Sequence, residues 1–270
     1  QGILRRDSTI DKLLTNMRNV LNKSVTVTMD DGSTQSFTLA SLGIVTGDYT
    51  ENGKLHILGD EDDVTYSGET NKLKAALEAN PEIFSQVFAG VGSDDVLAIA
   101  FMTFFGSEKP VIFPNITYSF YDVWADVYRI PYKQIPLNSD FTINREDYIT
   151  ENGGIVIANP NAPTGVMETI ENIEYIVKNN PDSVVIIDEA YVDFGGESCL
   201  PLVEKYENLL VVQTYSKSRS MAGMRIGFAI GSEKLIKYMN DVKFSINSYT
   251  MNPITQLCGA ASMADEEYFR

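Results

Sequence analysis

Five short, largely apolar runs constrain this chain more than any other feature: Val111–Phe113, Ile155–Ala158, Val184–Ile187, Leu209–Gln213 and Ile226–Ile230. Each is too short for an ordinary helix, and none shows the polar alternation of a strand with one wet face. Between and around them the apolar spacing turns helical, over residues 69–79, 96–105, 117–126, 169–179 and 232–241. Leu73, Ala76 and Leu77 line the first of these helices, Pro81 ends it, and Ser93 or Asp94 is the expected cap of the second. Strand and helix in alternation predict an α/β fold, a mainly parallel sheet sandwiched by helices. Such sheets bind ligands in crevices beyond the carboxyl ends of their strands, and polar residues stand at those positions here.

The first 62 residues have another texture. Leu13, Leu14, Met17, Val20 and Leu21 suggest a helix over 8–21, with Ser8 as its cap. Val25, Val27 and Met29 then alternate with polar residues up to Asp31-Gly32, a dipeptide suited to a tight hairpin turn. A second strand pair is expected at Ile44–Val45 and Lys54–Ile57, and His56 is read as a strand or surface residue. The predicted organisation is a small N-terminal α plus β-hairpin module, residues 1–62, followed by an α/β domain, residues 63–270. The acidic run Asp60–Asp63 links them.

Composition narrows the function classes. Asp and Glu number 37 against 21 Lys and Arg, a formal net charge of −16, which disfavours nucleic acid and acidic membrane surfaces as partners. One histidine argues against a His-rich metal centre or a local His-based triad, and no metal is expected. Two cysteines, Cys199 and Cys258, suit a reducing compartment. No stretch reads as a membrane span or secretory signal.

The chemistry-bearing residues follow the strands in order. Lys217 lies in Thr214-Tyr215-Ser216-Lys217-Ser218-Arg219-Ser220, just past a buried strand. It reads either as a solvated loop lysine or as an amine placed to condense with an aldehyde cofactor. Ser216, Arg219 and Arg225 add hydroxyl and cationic groups suited to phosphate. Asp188 ends the strand Val184–Ile187. It is either a loop cap or a partner for a pyridine nitrogen, with Tyr191 as packing or as donor to a ring oxygen. Asn159-Pro160-Asn161-Ala162-Pro163-Thr164-Gly165 is a turn whose prolines fix its path. Gly92-Ser93-Asp94 opens a helix and offers backbone N–H groups to an anion. Tyr118 offers a flat ring for stacking.

Taken in order, these segments resemble histidinol-phosphate aminotransferases, within the fold-type I pyridoxal-phosphate aminotransferases. The resemblance covers residues 64–270. It rests on Asn159–Gly165, Asp188-Glu189-Ala190-Tyr191, Ser216-Lys217 through Arg225-Ile226-Gly227, Gly92-Ser93-Asp94-Asp95 and Thr117-Tyr118-Ser119-Phe120-Tyr121. It implies pyridoxal 5'-phosphate as cofactor. Lys217 would bond the cofactor aldehyde and carry the transferred proton, Asp188 would pair with the ring nitrogen, and Tyr191 would bond the ring oxygen. Tyr118 would lie against the ring, and Ser93, Asp94, Ser216 and Arg225 would hold the phosphate. The family's asparagine before Pro-Thr-Gly is Ala162 here, so Asn161 is the expected ring-oxygen contact. Tyr66 resembles a tyrosine that reaches the neighbouring subunit's phosphate.

The implied activity is amino transfer between L-histidinol phosphate and 2-oxoglutarate in histidine biosynthesis, by a cytoplasmic homodimer. Two alternatives stand beside it: another enzyme of the cofactor class, such as a phospho-amino-acid decarboxylase, and a non-catalytic cofactor-binding or scaffold protein. Against the family pattern, the expectation is a chain lacking the family's N-terminal segment and its C-terminal small domain.

Overall fold

The computed structural model describes residues 85–263 and, ahead of them, the four short strands 25–28, 34–37, 44–46 and 55–57. The chain divides into two compact units, Gln1–Phe84 with Gln256–Arg270, and Ser85–Thr255. In the first, β1 (Val25–Thr28) pairs antiparallel with β2 (Thr34–Phe37), Val25 opposite Phe37. Likewise β3 (Ile44–Thr46) pairs with β4 (Leu55–Ile57), which places His56 opposite Val45 in a strand. Both expected hairpin pairings are present. The 8–21 and 69–79 helices, the Asp31-Gly32 turn and the Asp60–Asp63 linker lie outside the described residues.

The second unit holds a seven-stranded sheet. Its strands are β5 (Val87–Gly90), β6 (Val111–Pro114), β7 (Tyr132–Ile135), β8 (Gly154–Ala158), β9 (Val185–Asp188), β10 (Leu209–Thr214) and β11 (Gly227–Gly231). Their spatial order is β5-β11-β10-β9-β8-β6-β7. Pairing is parallel from β7 through β10, and β11 runs antiparallel to both β10 and β5.

Period-two alternation sends neighbouring residues of each strand to opposite faces. Val156, Ile186, Leu210 and Val212 pack on one face with α1 (Ser93–Phe104), α2 (Tyr121–Tyr128) and α5 (Glu233–Ile246). Ile155, Ile157, Val185, Ile187, Leu209 and Val211 pack on the other with α3 (Ile170–Lys178) and the short α4 (Leu200–Val203). A last helix, α6, covers Pro253–Met263. Each fully buried Ile, Leu or Val contributes about 1.5–3 kcal/mol of transfer free energy, and both faces need their helices to collect it. The apolar runs are therefore strands buried on two sides, as expected. Among the described residues, no helix is long and apolar enough to cross a membrane.

Three local expectations are corrected. Neither Ser93 nor Asp94 caps α1; the cap is Gly92 at φ 100°, with no side-chain cap bond. Asp95 instead reaches back to accept from the Val91 N–H at 3.0 Å. The helix expected over 117–126 begins only at Tyr121, and ahead of it the Thr117 hydroxyl donates to Asn161 across the chain at 2.8 Å. The strands β5 and β7 carry no unbroken apolar run, since each exposes residues toward solvent, and the spacing argument passes over them.

Candidate active site

Register brings the site together. Asp188 stands opposite Ala158 of β8 and Val212 of β10, so three adjacent parallel strands end at one level. The loops beyond them open a cavity of about 190 Å³. Its lining includes Ser93, Asp94, Tyr118, Asp188, Tyr191, Ser216, Lys217 and Arg225. Eight of the ten expected site residues thus meet in one crevice. Tyr66 lies outside the described residues, and Asn161 does not line the cavity.

Asn161 is spent on tying its loop to the segment after β6. Its amide nitrogen donates to the Ile116 carbonyl at 2.9 Å and the Thr164 hydroxyl at 3.0 Å, while its oxygen accepts from Thr117. Pro160 and Ala162 present that loop to the cavity instead. Asn159, 1% exposed, locks the same loop by exchanging two hydrogen bonds with the backbone of Glu168, at 3.1 and 2.9 Å.

One end of the cavity is built for an anion. The missing side-chain cap leaves the first N–H groups of the 12-residue helix α1 pointing outward, where the helix dipole favours negative charge. Gly92 and Gly227 make room for this: a Cβ on Gly92 would meet the Arg225 guanidinium at 2.4 Å, and one on Gly227 would meet the Ser93 nitrogen at 2.3 Å. Arg225 closes the cradle from a left-handed backbone at φ 54°. Asp94 also stands here, 3.8 Å from the Arg225 guanidinium and accepting from the Tyr118 hydroxyl at 2.9 Å. Burial first, then the bond to Asp94, raises the Tyr118 phenol, so it stays a proton donor. Arg219 is not part of the lining; its guanidinium lies over the Tyr215 ring, 5.0 Å from its centre.

At the other end sits Asp188, 5% exposed. Its Oδ2 accepts from the Tyr121 hydroxyl at 2.8 Å and its Oδ1 from the Ala190 N–H at 3.2 Å. Burial pushes its pKa up to about 6, with Tyr121 and Ala190 opposing that rise and Asp94 and Glu189 adding to it. Lys217 arrives from the β10 loop, its Nζ 5.0 Å from the centre of the Tyr191 ring. Ser218 donates to Asp193, which ties the lysine loop to the loop after Asp188.

Three contributors escape sequence reasoning. Tyr121 enters there only within the Thr117-Tyr118-Ser119-Phe120-Tyr121 segment, with no role of its own. Glu189, 1% exposed, accepts from the Cys199 N–H, Ser198 and Gln213 at 2.5, 2.7 and 2.8 Å and so anchors the strand-end loop. The Gly92 and Gly227 pair leaves no sequence signal beyond the glycines themselves.

The donor set fits pyridoxal phosphate on chemical grounds. A helix start with a guanidinium and a hydroxyl suits the phosphate, a buried carboxylate suits the ring N–H, and an amine suits the aldehyde. A covered, mostly parallel sheet with one reversed strand, opening on those groups at its carboxyl edge, is the large-domain fold of the fold-type I transferases. The chain belongs to the aminotransferase class I and II family, whose model matches residues 59–269. Residues 1–108 also match the model of the flagellar hook-associated protein 2 C-terminus.

Among curated proteins, the chain is 54% identical over 197 residues to a histidinol-phosphate aminotransferase of Lactococcus lactis subsp. cremoris (strain SK11), covering 73% of this chain and 55% of that protein. It is 52% identical over 199 residues to histidinol-phosphate aminotransferase 2 of Dechloromonas aromatica (strain RCB), covering 73% and 56%. The chain thus spans about half the length of the curated relatives it matches. A putative histidinol-phosphate aminotransferase from Erwinia carotovora atroseptica superposes with TM-score 0.64 at 20% identity, over 84% of this chain and 68% of that one. Aspartate aminotransferase from Thermus thermophilus with maleate gives 0.63 at 23%, over 69% and 51%. These structures share the fold.

Proposed function

We propose that this chain carries the cofactor half of a pyridoxal-phosphate-dependent aminotransferase acting on L-histidinol phosphate and 2-oxoglutarate. The observation that carries the proposal is the convergence of Lys217, Asp188, Tyr118, Tyr191 and Arg225 on one crevice. Identity above 50% to histidinol-phosphate aminotransferases supports the choice of substrate. Bound pyridoxal phosphate supplies an aldehyde carbon and a ring that draws electrons from the substrate's α carbon. Lys217 contributes the amine that meets the aldehyde, and its Nζ takes and returns the α proton. Asp188 keeps a proton on the ring nitrogen, and Tyr191 donates to the ring oxygen. Tyr118 supports the ring face. Arg225, Ser216 and the N–H groups at Ser93–Asp94 hold the phosphate, with Tyr66 of a second subunit completing it in a homodimer.

The boundary near residue 62 belongs to the same proposal, supported by an aminotransferase match that starts at residue 59. The test is an absorbance titration of the chain with pyridoxal phosphate beside a Lys217→Ala control, followed by amino-transfer assays with L-histidinol phosphate. A long-wave band in the parent chain, absent from the control, is the expected result. A band that survives unchanged in Lys217→Ala removes the lysine from the mechanism.

A further inference from the structure

Resting on that cofactor reading, we propose that Tyr121 is a positioning residue, whose hydroxyl holds the Asp188 carboxylate ionised and turned toward the cavity.

The geometry is specific. Asp188 shares strand parity with Ile186, so its side chain falls on the sheet face covered by α1 and α2. Tyr121 opens α2 on that face, is 0% exposed, and donates to Oδ2 at 2.8 Å. Its ring is wedged among Phe101, Phe113, Tyr118 and Trp124, with ring centres 5.7–6.2 Å away. A phenylalanine would satisfy all four of those contacts. Only the hydroxyl distinguishes tyrosine at this place, and the carboxylate is its hydrogen-bond partner.

The reason for such a partner is electrostatic. A carboxylate this buried favours its neutral form, and a neutral acid cannot hold the proton of a pyridinium. The groups that face Asp188 are Asp94 from α1, Tyr118 and Tyr121 around the start of α2, Glu189 and Tyr191 after β9, Lys217 after β10 and Arg225 before β11. The two acids oppose ionisation. Against burial, Tyr121 is the largest opposing influence, ahead of the Ala190 N–H. Tyr121 does not line the cavity itself, which makes it a positioning group and not a catalytic one.

The experiment compares the parent chain with Tyr121→Phe in two readouts. The first follows the Asp188 carboxyl by carbon NMR against pH in the cofactor-free chain, with Asp188→Asn identifying the signal. The second is the pyridoxal phosphate dissociation constant over the same pH range. The titration midpoint should rise from about 6 by about one unit in Tyr121→Phe, so binding should weaken about twofold at pH 7 and about fivefold at pH 6, and recover in alkali. An unmoved Asp188 titration overturns the proposal, whatever happens to binding. A raised midpoint in a chain that binds no cofactor upholds the hold on Asp188 and refutes the cofactor reading instead. Fluorotyrosine at position 121 guards against misfolding. A more acidic phenol donates more strongly, so the midpoint should fall, and a rise or no change counts against the proposal.

Discussion

Replacing Gly227 by alanine tests the cradle where it has least freedom. The new Cβ would lie 2.3 Å from both the Gly92 carbonyl carbon and the Ser93 nitrogen, about 1 Å inside ordinary contact. Those atoms are backbone, so no side chain can swing aside. Nor can β11 retreat, because Gly227 is paired on one side with Gly90 and on the other with Thr214. The strain must be taken by the turn that presents the α1 N–H groups. Overpacking of this kind costs about 1–3 kcal/mol. A cost of about 2 kcal/mol lowers Tm by roughly 4–8 °C in a unit of this size.

The assay is thermal unfolding of the full chain without cofactor, followed by pyridoxal phosphate titration. Gly223→Ala serves as control, since a Cβ there meets nothing within 4 Å. Gly227→Ala should melt lower and bind the phosphate-bearing cofactor at least tenfold more weakly, while Gly223→Ala keeps parent values for both. Parent-like melting and binding in Gly227→Ala would refute the idea that this close backbone approach builds the anion site.

Further outcomes follow from the same geometry. Burial holds the folded Asp188 carboxyl near pKa 6, above roughly 3.9 for an unfolded aspartate, so the folded state keeps the extra proton between those values. Stability should therefore fall as pH rises from about 4 to about 6, by about 3 kcal/mol from this group, with Glu189 adding to the same slope. Denaturant midpoints across that range should show a flatter profile in Asp188→Asn. Asn159→Ala removes the partner of the part-buried N–H and carbonyl of Glu168 and should cost about 1–2 kcal/mol in urea unfolding, with a weakened site because Pro160 and Ala162 lose their support.

Much of this was legible from residue order. The apolar runs at Ile155–Ala158, Val184–Ile187 and Leu209–Gln213 lie within a residue or so of the observed strands, because burial on both faces imposes an unbroken apolar pattern. Lys217 and Asp188 stood out because charged groups end or follow those strands at the positions where crevices form, and Arg225 because it stands eight residues after Lys217, just ahead of the next strand. The edge strands β5 and β7 were illegible for the opposite reason, since partial exposure erases the pattern. The misplaced caps at Ser93 and Asp94 share one cause: a helix start that serves an anion leaves its N–H groups free.

Sequence alone determined the order of elements and the chemical types at their ends, because both are local consequences of side-chain burial and backbone preference. Tertiary structure alone decided which of those ends meet. Tyr121 and Asp188 are 67 positions apart, and Thr117 and Asn161 are 44 apart. No short-range rule links such pairs. They meet because parallel pairing sets β8, β9 and β10 side by side at one level, and strand parity turns Asp188 toward α2 while the segment ahead of α2 holds Asn161.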